Sequence, residues 1–138
     1  MRKAATYGFV VAKPWGDSLC YDFVVRAGEA FWRIQVKSVR AKSPNRRYYR
    51  VGTVKSPKLP YSSEDIDFLV AYIFAEDTWY VFPAQVFENA KSLCLTPGSS
   101  RSRFEKYRDA WKLIGAILDE PAAAGILAPA GTGGAPEL

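Results

Sequence analysis

The sequence predicts a single α/β domain, on three observations. The 138 residues suffice to bury one core of ordinary apolar content. Apolar runs of strand length recur between turns rich in Gly, Pro and Asp. One stretch near the C-terminus, Arg103 to Leu118, carries large apolar residues at helical spacing.

The elements follow in order. Met1 to Thr6 reads as the last turn of a helix stopped at Gly8. So short a helix does not stand alone, which predicts a truncated first helix. Phe9 to Ala12 is a short strand, and Pro14 to Ser18 a turn. Leu19 to Arg26 and Ala30 to Val39 read as the two strands of a hairpin turning at Ala27-Gly28-Glu29. The segment 41–60 is predicted to hold an irregular hairpin around Arg47 to Val54. Ser62 or Ser63 with Glu64-Asp65 opens a helical turn, and Ile66 to Ala75 is a buried strand. A turn at Glu76-Asp77 leads into a strand from Thr78 to Phe82. Pro83 to Asn89 is a short helix or loop, Ser92 to Leu95 an edge strand, and 96–100 a loop. The closing helix, capped by Ser102, presents Phe104, Tyr107, Trp111, Ile114 and Leu118 on one face as core. Residues 119–138, rich in Ala, Pro and Gly, read as a disordered tail, which leaves 1–118 as the domain.

Composition excludes several function classes. There is no histidine, so His-based metal sites, Ser-His-Asp triads and His-containing nuclease motifs are ruled out. Cys20 and Cys94 lack metal-ligand spacing and read as buried thiols in a reducing cytoplasm. No run approaches the roughly 18 apolar residues of a membrane span, and no signal peptide precedes the domain. The net charge of +5 is unevenly spread. Eight Lys or Arg and no acid lie between Lys37 and Ser63, so the rest of the chain is net acidic. A local basic run with tyrosines suits a phosphate backbone, although a solvated loop has the same composition. The candidates for nucleic-acid contact are Ser38, Arg40, Lys42, Arg46, Arg47, Arg50 and Lys55, with Lys58 beside them. Tyr48 and Tyr49 are available to pack or stack.

The most informative constellation is Asp22, Gln35 and Lys37. With a two-residue loop at Gly28-Glu29, or a four-residue loop from Ala27 to Ala30, Asp22 lies directly opposite Gln35 on the same face. A loop at Ala27-Gly28 leaves the pair diagonal, and a three-residue loop puts them on opposite faces. Arg33, Gln35 and Lys37 form the polar face of their strand, and Trp32, Ile34 and Val36 the apolar one. An acid between Tyr21 and Phe23 needs a partner, because isolated buried charge is costly. Asp22, the Gln35 amide and the Val36 carbonyl can offer hard oxygens to Mg²⁺, with Mn²⁺ as a substitute. Lys37 can hold a water or a phosphate. A solvated strand face carries the same spacing. Asp17 is the rival acid, with a turn role beside Gly16; Asp67 reads as a structural acid.

The stretches 8–17, 21–23 and Arg33-Ile34-Gln35-Val36-Lys37-Ser38 resemble the PD-(D/E)XK nuclease superfamily. They are most similar to the branch with a Gln-x-Lys motif that includes a group I intron homing endonuclease. The blocks 65–72, 79–83 and 107–111 also look like that branch, so the resemblance spans roughly residues 4–115. It implies a restriction-endonuclease-like sandwich, a mixed central sheet flanked by helices. It assigns Asp22 to the metal-binding acid, Gln35 to the variable acid position and Lys37 to the lysine. The implied activity is Mg-dependent DNA endonuclease, acting as a homodimer or larger homo-oligomer. The family's further Glu on the first helix has no counterpart, since no acid precedes Asp17. Either the true start lies upstream, or a ligand is lost and the fold serves as a weak or inactive DNA-binding module. A protein-interaction domain with a merely solvated polar face is the third expectation.

Overall fold

The computed structural model describes residues 2–16, 19–55 and 59–116. Its frame is a five-stranded mixed sheet in the order β1-β2-β3-β7-β8. These strands are β1 (Val10–Ala12), β2 (Phe23–Ala27), β3 (Ala30–Val39), β7 (Phe68–Ile73) and β8 (Thr78–Pro83). The β3–β7 pairing is parallel and the others are antiparallel. Two smaller ladders lie outside the sheet: β4 (Tyr49–Gly52) with β9 (Ser92–Leu95), and β5 (Val54–Lys55) with β6 (Leu59–Pro60). The helices are short: α1 (Arg2–Ala5), α2 (Ala84–Phe87) and α3 (Lys112–Ala116). None of the described helices is long and apolar enough to cross a membrane.

The two-residue alternation of the strands sorts side chains into two cores. On one face Leu69, Ala71, Ile73, Tyr80 and Phe82 pack under Tyr49, Val51, Tyr61, Leu93 and Leu95. On the other, Val25, Ile34, Phe68, Val70 and Val81 pack with Trp111 and Ile114. The first layer covers β7 and β8 but stops near β3. Beyond it, Val10, Ala12, Arg26 and Phe31 share that face and are exposed. The border between covered and open sheet runs along β2 and β3.

Several expectations are corrected. The helix expected over 103–118 is broken into a one-turn 3-10 helix, Glu105–Tyr107, and α3. Between them Arg108 is extended and bridges Tyr80, Asp109 adopts φ 50°, and the Asp109 N–H donates to the Trp79 carbonyl at 2.8 Å. The open edge of β8 captures this segment, since unpaired strand groups are strong binding sites. Phe104 and Tyr107 therefore join one core and Trp111 and Ile114 the other. The apolar spacing was real, but it wraps a sheet edge rather than marking one helical stripe.

The hairpin expected around Arg47 to Val54 does not form. Thr53 is fully buried, with its N–H bonded to Lys91 O at 3.0 Å and its hydroxyl to Ala90 O. The chain runs straight through that point, and β4 finds β9 instead. The first hairpin strand begins at Phe23, not Leu19, because the Asp22 carboxylate takes the place of a further backbone rung. Cys20 is half-buried and Cys94 exposed, since Leu93 and Leu95 face inward from β9. Asp17, Lys58, Leu118 and the tail 119–138 lie outside the described residues.

Candidate active site

The hairpin register aligns the constellation. Ala27 pairs with Ala30 across a Gly28-Glu29 loop, and Gly28 holds φ 65°, the left-handed conformation glycine adopts without cost. The ladder runs to Phe23 opposite Ile34. The next residue, Asp22, straddles Gln35. Its N–H donates to Ile34 O at 2.8 Å, and its Oδ2 accepts the Val36 N–H at 2.9 Å. Oδ1 has no hydrogen-bond partner among the described residues. The Gln35 amide nitrogen lies 3.4 Å from the Val36 carbonyl oxygen. The Asp22 side chain, the Gln35 amide and the Val36 carbonyl thus gather at one point of β3.

Lys37 lies two residues on, on the same face as Gln35. Its Nζ sits 5.5 Å from the centroid of the Tyr61 ring, a cation–π distance. Tyr61 is buried, and its N–H is tied to Thr53 O at 2.9 Å. Burial raises the pKa of the Tyr61 phenol above its ordinary value, helped by the charges of Cys20, Asp22 and Asp65. Ser38 alternates to the opposite face of β3, with Trp32, Ile34 and Val36, and so does not join the group.

Arg33, on the polar face, is fully engaged. Its N–H, Nε and Nη2 reach the Asp67 carboxylate, and its Nη1 and Nη2 donate to Glu64 O and Ser63 O. Asp67 thus acts as a structural acid. The fold also adds a pair that the sequence reading did not single out. Lys55 Nζ lies 2.6 Å from Asp65 Oδ1. Ser62-x-x-Asp65 carried the signal, because a serine N–H is capped by a carboxylate three residues on. The same four residues also suit the start of a helical turn, which hides the pair.

The basic candidates lie along the covered side. Arg40, Lys42, Arg46, Arg47 and Arg50 are all exposed. Arg40 stacks on the exposed Phe74 ring at 5.0 Å, and Lys42 on Tyr49 at 5.7 Å. Arg46 and Arg47 ride a loop closed by the Ser43 N–H on Tyr48 O at 3.0 Å. Arg50 lies 3.3 Å from the Tyr48 hydroxyl. Tyr49 is buried, with its hydroxyl on Glu76 at 2.9 Å, so it is not free to stack on a base.

Among the described residues, no group of three or more Cys, Asp or Glu side chains is placed to share an ion. One carboxylate oxygen, one amide oxygen and one main-chain carbonyl are nevertheless hard donors of the kind Mg²⁺ takes while keeping several waters. As placed, Gln35 turns its amide nitrogen to the Val36 carbonyl, so with that amide flipped the three would suit a lightly held hydrated ion and not a closed cage.

The family model described as PD-(D/E)XK endonuclease matches residues 1–114. The solved structure of a bacterial homing endonuclease, I-Ssp6803I, is similar with a TM-score of 0.77 and 32% identity, over 88% of each chain. Among proteins with curated descriptions, none matches the chain. The fold is therefore restriction-endonuclease-like, and the chain belongs to the PD-(D/E)XK endonuclease family.

Proposed function

We propose that this protein is a divalent-metal-dependent DNA endonuclease whose site is Asp22, Gln35, Val36 and Lys37. The observation that supports the reading is Asp22 straddling Gln35, with one carboxylate oxygen that has no hydrogen-bond partner among the described residues and with Lys37 two residues on along the same face of β3. Asp22 Oδ1, the Gln35 amide oxygen and the Val36 carbonyl would hold Mg²⁺ or Mn²⁺. The bound ion would neutralise charge on the phosphate and lower the pKa of a coordinated water. Lys37, kept over Tyr61, donates to a phosphate oxygen or orients the attacking water. The exposed Arg40, Lys42, Arg46, Arg47 and Arg50 follow the DNA backbone and set affinity more than sequence. One chain carries one such site, so cutting both strands calls for a homodimer, a larger assembly or two encounters.

The test is cleavage of plasmid DNA in Mg²⁺ or Mn²⁺ against a chelator control. Wild type should cut, and Lys37→Ala should not. Equal absence of cutting in both, across substrates, would refute catalysis.

That Asp22 is the one carboxylate offered to the metal among the described residues favours one second reading: a nuclease fold that binds DNA without cutting it. DNA binding that is independent of metal and persists in Asp22→Ala, without cleavage by wild type, would select that reading.

A further inference from the structure

Lys55 stands apart from the other basic residues of its segment. It is the only one of them that pairs with a carboxylate among the described residues. We propose that Lys55 is a second phosphate-binding cation of the active site, aimed there by Asp65 as a positioning residue. This deepens the nuclease reading above and rests on it.

The argument starts from how firmly Asp65 is held. Its Oδ2 accepts the Ser62 N–H at 3.0 Å and the Ser62 hydroxyl at 3.2 Å. Its Oδ1 accepts Lys55 Nζ at 2.6 Å and faces Cys20 Sγ at 3.8 Å. Cys20 lies two residues before Asp22, so Asp65 touches the segment that delivers the metal-binding acid. From the far side, Arg33 binds Ser63 O at 2.8 Å and Glu64 O at 2.7 Å and fixes the turn that carries Asp65. The side chains of Lys55 and Asp65 are 28% and 14% exposed, so the pair is neither a free surface bridge nor fully buried.

Tyr61 shows that both lysines belong to one place. Lys37 lies over its ring from β3. Lys55 comes from β5, where its neighbour Val54 pairs with Pro60 just before Tyr61 and Thr53 O accepts the Tyr61 N–H at 2.9 Å. Lys37 thus lies over a ring beside the β5–β6 ladder that carries Lys55, and Asp65 links Lys55 to Cys20, two residues before Asp22. Phosphodiester hydrolysis builds negative charge on the phosphate oxygens, and pre-aimed cations stabilise it without reorganisation. A backbone-tracking lysine needs no such scaffold, because a flexible exposed stem does that work.

The test is a titration of inorganic phosphate, without metal, followed by NMR of the ¹³C-methylated lysines. Lys37 and Lys55 should respond with one midpoint. In Asp65→Asn, which keeps an acceptor for Ser62, the Lys55 response should weaken while that of Lys37 persists. In cleavage assays Lys55→Ala should lower kcat roughly tenfold to a hundredfold, with KM changed less than about threefold. Lys55→Arg should recover most of the loss. A Lys55 resonance that stays still while that of Lys37 moves overturns the inference, as does silence at both. So does a Lys55→Ala effect confined to KM. If wild type does not cut yet both lysines answer phosphate at one midpoint, the nuclease reading falls and the paired-lysine anion site stands. If Lys37→Ala abolishes cutting while Lys55 ignores phosphate, the nuclease reading stands and this inference falls.

Discussion

Arg33 and Asp67 meet through three hydrogen bonds: the Arg33 N–H at 2.7 Å, Nε at 3.0 Å and Nη2 at 3.0 Å all end on the Asp67 carboxylate. This hydrogen-bonded carboxylate is the main cause of a guanidinium pKa raised above its ordinary value. Asp67→Ala strands several of those donors. It should destabilise the fold by about 1–2 kcal/mol, toward the lower end of the range for hydrogen bonds to charged groups, because the pair is partly solvated. Urea denaturation checks this, and an unchanged midpoint would count against it.

Asp22→Asn separates charge from architecture. The amide oxygen can still accept the Val36 N–H, so unfolding should move by less than about 1 kcal/mol. The anionic donor for the metal is gone, and cleavage should fall by at least about a hundredfold. Loss of folding in parallel with activity would show that Asp22 is structural.

Asp109 holds φ 50°, where a side chain is strained. Asp109→Gly relieves that strain and should leave stability unchanged or raise it by up to about 1 kcal/mol. Asp109→Val should lower it by about 1–2 kcal/mol and loosen the segment wrapped on β8. Thermal melts of the two variants should move in opposite directions or differ clearly in size.

Tyr80 gives a pH signature. Burial first, and the hydrogen bond to Glu105 at 2.9 Å second, raise its phenol pKa well above the ordinary tyrosine value. The folded state therefore holds this proton more tightly than the unfolded chain, whose value is about 10. The contribution is complete below about pH 10 and is lost as pH rises from there through the folded value. Stability should decline on the alkaline side, and Tyr80→Phe should flatten that decline. It will not abolish it, because Tyr49, Tyr61 and Tyr72 are raised as well. Urea midpoints between about pH 8 and 11 provide the measurement.

Replacing Arg46 or Arg50 by Ala should weaken DNA binding similarly across sequences and reduce the slope of log K against log salt by about one per residue. Fluorescence anisotropy in chelator at several salt concentrations measures it. A slope that does not change would remove these residues from the interface.

The hairpin was the most legible part of the fold, because period-two alternation and a Gly-containing loop leave few registers. Asp22 opposite Gln35 is one of the registers left open, and the pairing of Ala27 with Ala30 selects it. The path of 41–60 was not legible, since its pairing depends on Thr53 meeting Ala90, 37 residues away in sequence, and Lys91 beside it. Lys55 and Asp65 were hidden for the same reason: an ion pair across a loop has no period. The C-terminal segment misled because Phe104, Tyr107, Trp111 and Ile114 satisfy helical spacing and edge wrapping equally. Only the free edge of β8 decides between them.

The parallel junction of β3 and β7 also bears on how the site is built in time. Ile34 meets Phe68 only after the intervening chain has doubled back, a closure with a substantial entropic cost. The β2–β3 hairpin carries no such delay and can form within microseconds. Asp22 and Gln35 therefore come together early, on the local half of the folding route. Tyr61, Asp65 and Lys55 reach Lys37 and Cys20 only through contacts distant in sequence, and so arrive later. The half of the site with Asp22, Gln35 and Lys37 is expected to exist as a nascent hairpin before the half with Tyr61, Asp65 and Lys55 closes over it, so the two should separate in folding kinetics, with high φ-values near Val25 and low ones near Tyr61.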